Sequence, residues 1–225
     1  MCFTGGRLEV SLQLPGRADV YGLWPAVWTM GNLGRVGYGG TLEGMWPYSY
    51  DTCDVGTLKN QTLDGLPAIS MNGNKWGTEM SYLPGQRLSS CTCPDDDTHP
   101  GPKMKDGTWK GRSAPEIDII EAQVDNDLLI GQVSQSGQFA PFNPYYLFDN
   151  ETNAILYDKS ISALNSYSGG QMQQSTSVLS TTNQKCYQYT GTDNSPGCFS
   201  VYAIEYLPGN DGYIQWHNDG KPAWM

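Results

Sequence analysis

Residues 116–121 read Glu-Ile-Asp-Ile-Ile-Glu, three carboxylates among β-branched residues that favour a strand. Side chains alternate faces along a plain strand. Glu116 and Asp118 would then share one face, and Glu121 would point to the other. One bulge after Asp118 adds a residue and returns Glu121 to the face of its two fellow acids. Acids that converge in this way raise one another's pKa, a costly arrangement unless chemistry uses it. Glycoside hydrolysis does. A retaining glycosidase holds two carboxyl groups about 5–5.5 Å apart, one as nucleophile and one as acid/base. The competing reading is a solvated strand edge with acids there by chance, since short motifs recur without function.

Sugar chemistry also needs flat aromatic faces for pyranose C–H groups. Residues 22–31 read Gly-Leu-Trp-Pro-Ala-Val-Trp-Thr-Met-Gly, and period two puts Trp24 and Trp28 on one strand face. Trp28 and Trp46 are the leading candidates for stacking, with Trp24 and Tyr48 behind them. Core packing is the alternative for each tryptophan. No Gly-rich phosphate loop and no Ser/His/Asp set is visible. His99 and His217 read as plain surface or turn residues. Cys91-Thr92-Cys93 has the wrong spacing for a zinc knuckle, so no metal or other cofactor is expected.

The elements that must position these residues read as short strands separated by turns. Arg7 to Leu14 alternates, with Leu8, Val10, Leu12 and Leu14 on one face, as a half-buried antiparallel strand does. Tyr21 to Met30 reads as a second strand and Gly31 to Gly44 as a glycine-rich loop. Residues 89–113 form a long irregular excursion before the acidic strand. Ile130 to Phe139 should pair beside that strand. Phe199 to Tyr206 and Tyr213 to Trp216 follow, and Asn218-Asp219-Gly220 signals a hairpin turn. With no internal repeat and no second domain in view, the pattern predicts an antiparallel β-sandwich over residues 1–225.

Composition agrees. The 225 residues carry 27 Gly and 14 Pro for turns and 14 Tyr and 7 Trp for a sugar-binding surface. A formal charge of −10 and the lack of a basic stripe argue against nucleic acid as a partner, and an acidic surface does not repel a neutral polysaccharide. No window of about 18 apolar residues suggests a membrane span, and no signal peptide precedes Cys2. Six cysteines, with sequons at Asn60 and Asn150, favour an oxidising secretory route. Cys186 and Cys198 flank a turn and could close a short loop. Cys91 and Cys93 are too close to pair easily with each other, so each needs a distant partner, Cys53 being one candidate. Six cysteines allow 15 connectivities.

The Glu-Ile-Asp-Ile-Ile-Glu core with the upstream Trp-Pro-Ala-Val-Trp resembles glycoside hydrolase family 16, the β-jellyroll β-glucanases and transglycosylases. Residues 30–35, 46–54, 81–87 and 138–143, among them Trp46-Pro47-Tyr48-Ser49-Tyr50-Asp51 and Gln138-Phe139-Ala140-Pro141-Phe142-Asn143, narrow the resemblance to its fungal β-glucan synthesis-associated branch. The likeness runs from Cys2 to Trp224. It implies a jellyroll cut at both ends, because Arg7 to Leu14 is similar to a strand inside the family fold and the family continues past Met225. It implies a retaining hydrolase or transglycosylase acting in β-1,6-glucan synthesis of the fungal cell wall, with Glu116 as nucleophile, Glu121 as acid/base and Asp118 between them. The partner would be a β-glucan, and the location the secretory pathway or cell surface, membrane-anchored in full-length members. Many members carry a His on the strand after the acidic one, whereas residues 132–136 here read Gln-Val-Ser-Gln-Ser. Gln135 is therefore expected to take over the polar contact to substrate. The alternative function is a non-catalytic glucan-binding or assembly factor on the same scaffold.

Overall fold

The computed structural model describes residues 5–30, 105, 116–139, 148–169, 174–191, 195–209 and 211–225. The strands are β1 (Gly6–Leu12), β2 (Ala26–Met30), β3 (Glu116–Val124), β4 (Gly131–Phe139), β5 (Ser162–Leu164) and β6 (Gln174–Thr181), followed by β7 (Tyr189–Thr190), β8 (Ser195–Pro196), β9 (Ser200–Leu207), β10 (Tyr213–Asn218) and β11 (Lys221–Trp224). They form a four-stranded sheet in the order β1-β9-β10-β11, a five-stranded sheet in the order β2-β3-β4-β6-β5, and the small β7-β8 hairpin. All strand pairings are antiparallel. Among the described residues no helix is long and apolar enough to cross a membrane.

The two larger sheets share one core. Ile119, Ile120, Ala122, Val133 and Val178 of the five-stranded sheet meet Tyr202, Ile204, Trp216, Ala223 and Trp224 of the four-stranded sheet in a single buried cluster. Trp216 and Trp224 stack across β10 and β11 with ring centroids 4.1 Å apart. The described residues thus form an all-β antiparallel sandwich, as the strand pattern implies.

Individual elements follow the sequence with two adjustments. β1 pairs with β9, and Leu8, Val10 and Leu12 pack against the core while Arg7 and Glu9 face outward. The second strand is shorter than the pattern predicts, starting at Ala26 rather than Tyr21; Gly22 takes a φ of 115° and Pro25 lacks an N–H, so the preceding residues cannot complete a ladder. Asp219 and Gly220 both adopt positive φ (51° and 74°), the signature of a tight hairpin turn between β10 and β11. His217 is not a surface residue. It is buried in β10, and its Nε2 lies 3.1 Å from Arg7 Nη1 and 3.0 Å from Gln215 Nε2. Burial and the Arg7 charge push its pKa down.

Cys186 and Cys198 form a disulfide that closes the loop carrying β7 and β8. Cys53, Cys91 and Cys93 lie outside the described residues, as do the glycine-rich loop, nearly all of the excursion over 89–113, and Asn60. Asn150 sits on an exposed turn capped by Asp149, whose carboxylate accepts from the backbone N–H groups of Glu151 and Thr152 and from the Thr152 hydroxyl.

Candidate active site

The bulge in β3 is written into the strand register. Glu116 pairs with Gln138 and Asp118 with Ser136, but Glu121 pairs with Ser134. Three steps along β3 therefore match two along β4. On the other side, β2 sets Met30, Trp28 and Ala26 opposite the same three acids. Glu116, Asp118 and Glu121 accordingly share the outer face of the five-stranded sheet, with Trp28 beside Asp118. The two residues between, Ile119 and Ile120, are both buried in the inter-sheet core. A plain strand would expose one of them. Burying an isoleucine is worth roughly 1.5–3 kcal/mol, so the apolar pair itself favours the bulge.

A bulge takes backbone groups out of the ladder, and buried carbonyls need donors. Two side chains from behind supply them. Trp216 Nε1 donates to Asp118 O at 2.8 Å. Gln135 Nε2 donates to Ile119 O at 3.0 Å and to His217 O at 3.0 Å, which ties β3 to β10 across the core. Gln135 is fully buried on the inner face. Its expected contact with substrate is therefore corrected: by alternation it points away from the acids, and it braces the bulge instead.

Burial sets the electrostatics of the three acids. Asp118 is 1% exposed. Burial, then the charge of Glu116 and a hydrogen bond to it, push the Asp118 carboxyl up to about 8, against the opposing hydrogen bond from Gln138. Burial and then the Asp118 charge push Glu121 up to about 7, with a hydrogen bond from Ser134 acting the other way. Glu116 is raised by burial and by Glu121, and lowered by its hydrogen bond with Asp118. Asp118 is the deepest of the three, and burial together with the neighbouring Glu116 charge favours its protonated form. No lysine or arginine among the described residues forms an ion pair with any of the three.

The floor around them is polar. Ser136 and Ser177 hydroxyls lie 2.9 Å apart, and Gln138 Nε2 donates to Asp118 Oδ2 at 3.2 Å. Ser136, Ser177 and Gln138 are buried, as is Ser175. Trp28 is half exposed (50%) and Trp24 more so (70%). Trp46 and Tyr48 lie outside the described residues. Ser134 and Gln138 escape a reading based on residue types. They become visible once β3 and β4 are put in register, because Gln138 stands opposite Glu116.

The chain matches, over residues 1–225, the family described as beta-glucan synthesis-associated protein SKN1/KRE6/Sbg1. It belongs to that family. It is 44% identical over 226 residues to beta-glucan synthesis-associated protein SKN1 of Saccharomyces cerevisiae, covering 100% of this chain and 26% of that protein. It is 42% identical to KRE6 of the same yeast, covering 100% and 28%, and 40% identical to SKN1 of Candida albicans, covering 100% and 27%. The chain thus spans about a quarter of the length of these relatives. No solved structure gives a significant match.

Proposed function

We propose that this chain carries the catalytic face of a retaining β-glucan hydrolase or transglycosylase acting in β-1,6-glucan synthesis of the fungal cell wall, on a jellyroll of the glycoside hydrolase family 16 type. The observation that carries the reading is the bulge, which gathers Glu116, Asp118 and Glu121 onto one face with no neutralising cation among the described residues. The β4 partners of Glu116 and Glu121 are four residues apart, about 13 Å along a strand. Two glutamate side chains leaning inward can bring their carboxyls across that span to the about 5–5.5 Å of a retaining pair.

In this reading Glu121, raised to about 7, holds its proton at neutral and acidic pH and donates it to the leaving glycosidic oxygen. Glu116, ionised and accepting from Asp118, attacks the anomeric carbon and forms a glycosyl-enzyme. Glu121, now a carboxylate, takes a proton from the incoming hydroxyl, which releases the sugar from Glu116. Water as acceptor gives hydrolysis, and another sugar hydroxyl gives transfer. Trp28, half exposed beside Asp118, offers an aromatic face to a pyranose ring, with Trp24 further along. The partner is a β-glucan. The Cys186–Cys198 bond fits an oxidising compartment, which supports a secretory or cell-surface location, membrane-associated in the whole protein.

The test is product analysis. Full-length protein is incubated with β-1,3- and β-1,6-gluco-oligosaccharides and the products are weighed by mass spectrometry. New longer and shorter oligomers are expected from transfer, and shorter ones alone from hydrolysis. Oligomers that bind and remain unchanged would overturn the reading in favour of a glucan-binding factor.

A further inference from the structure

Gln138 stands opposite Glu116 in the β3–β4 register, yet its amide reaches Asp118, two pairs along the ladder and next on the same face. Nε2 donates to Asp118 Oδ2 at 3.2 Å. Both side chains are buried, and among the described residues Asp118 Oδ1 has no hydrogen-bond partner. Among the described residues, the titratable groups facing Asp118 are Glu116 and Glu121 on its own strand. The facing positions of β2 and β4 hold Met30, Trp28, Ala26, Ser136 and Ser134, none of them charged. Ser136 is already engaged with Ser177 at 2.9 Å, so among the described residues Gln138 is the group whose hydrogen bond selects between the two oxygens of Asp118.

An oxygen that accepts an amide N–H is a poor place for a proton, because the two hydrogens would oppose each other. We infer that Gln138 is a positioning residue of the acid cluster: by occupying Asp118 Oδ2 it confines the Asp118 proton to Oδ1, the oxygen left to donate to the Glu116 carboxylate. The inference rests on the proposed role of Glu116 as nucleophile but adds a residue to it. Gln138 touches no substrate atom in this account. It acts through Asp118, keeping the donor aimed at Glu116, so that Glu116 stays ionised and oriented. The direction of its effect on Asp118 is fixed by chemistry: a donor to a carboxylate favours the charged form, and Gln138 accordingly holds Asp118 lower than burial alone would set it.

The experiment follows the Asp118 side-chain carboxyl by carbon NMR through a pH titration, in the wild type, in Gln138→Leu and in Ser136→Ala. A hydrogen bond to a charged group is worth about 1.5–3 kcal/mol, or roughly one to two pH units at about 1.4 kcal/mol per unit. Gln138→Leu is expected to raise the Asp118 midpoint by at least about one unit, and Ser136→Ala to move it by a few tenths at most. A folded Gln138→Leu with an unchanged midpoint would overturn the inference. A lowered midpoint would too, because it would mean that the amide oxygen accepts the Asp118 proton. Should the leucine variant not fold, the wild type still decides: the Gln138 side-chain amide proton should shift with pH in step with Asp118, and an amide signal indifferent to that titration rejects the contact. Where transfer activity is measured, Gln138→Leu should lower kcat and displace its pH profile with little change in KM. The NMR arm does not depend on activity, so a protein that binds glucan without cleaving it would reject the catalytic reading while leaving the Gln138 contact standing or falling on its own.

Discussion

The sandwich carries acids on both of its outer faces and treats them in opposite ways. On the four-stranded sheet, Arg7 on β1 pairs with Glu9 at 2.8 Å and with Glu205 on β9 at 3.6 Å, and Tyr213 donates to Glu205 at 3.1 Å. Neighbouring carboxylates there share a cation and remain partly solvated. On the five-stranded sheet, Glu116, Asp118 and Glu121 sit closer to dry surroundings, with no cation paired to them among the described residues and a buried donor, Gln138, on the central one. A strand surface that only needs acids for solubility follows the first pattern. The second pattern raises the proton affinity of the acids and costs stability, which active sites tolerate in exchange for chemistry.

The largest expected effect tests that contrast through turnover. Glu116→Gln should reduce glycosyl transfer by on the order of 10⁴-fold or more, as removal of a nucleophile does elsewhere, and Glu121→Gln by about 10²–10⁴-fold. Asp118→Asn should fall less, by about a hundredfold, since it displaces the reacting groups without removing either. The equivalent change on the other face, Glu205→Gln, should leave turnover unchanged in the same assay. An equal loss there would mean that the activity reads folding and not the acid cluster.

Next in size is the response to removing the brace behind the bulge. Gln135→Leu leaves Ile119 O and His217 O without their buried donor, at about 1–3 kcal/mol each, so chemical denaturation should show a loss of about 2–6 kcal/mol. Loss of that size with a retained fold, accompanied by lower turnover, would show the bulge to be held from the core.

The pH dependence is smaller and its sign is set. Asp118 and Glu121 have folded pKa values of about 8 and about 7, above their unfolded values near 4. Between about pH 4 and pH 8 the folded state therefore holds more protons than the unfolded state, and stability falls as pH rises. Melting temperature should drop across that window, and Asp118→Asn should flatten the drop. A wild type that gains stability from pH 5 to pH 8 through these groups would contradict the shifts. The smallest effect belongs to the other face: Arg7→Met breaks exposed ion pairs worth about 0.2–1 kcal/mol, with stability at neutral pH altered by no more than that.

Much of this was legible in the residues, and the parts that were not share a cause. Alternation in Arg7 to Leu14 gives β1 and its buried face, and Asn218-Asp219-Gly220 gives the β10–β11 turn, because both are local rules. The bulge is legible because three acids and two isoleucines cannot otherwise be sorted onto two faces. The role of Gln135 is not legible from residue type, because it depends on which way β4 faces, and pairing with β3 settles that. Gln138 and Ser134 emerge only from the same register. Trp216 and His217 lie about a hundred residues from the acids, and their contacts with Asp118 O and Gln135 form when one sheet closes on the other, a long-range event that no local pattern announces. Alternation of Trp24 and Trp28 predicts a longer second strand than forms, because Gly22 and Pro25 end it at Ala26.

A nucleophilic Glu116 and a structural one differ in whether they form a covalent bond to sugar. An activated 2-deoxy-2-fluoro-β-glucoside forms a glycosyl-enzyme that breaks down slowly, so the intact protein and its peptides can be weighed after incubation. A gain of one fluoroglucosyl group is expected, carried by the peptide containing Glu116 and absent in Glu116→Gln. A folded, glucan-binding wild type that gains no mass, or one labelled at a residue other than Glu116, would contradict it.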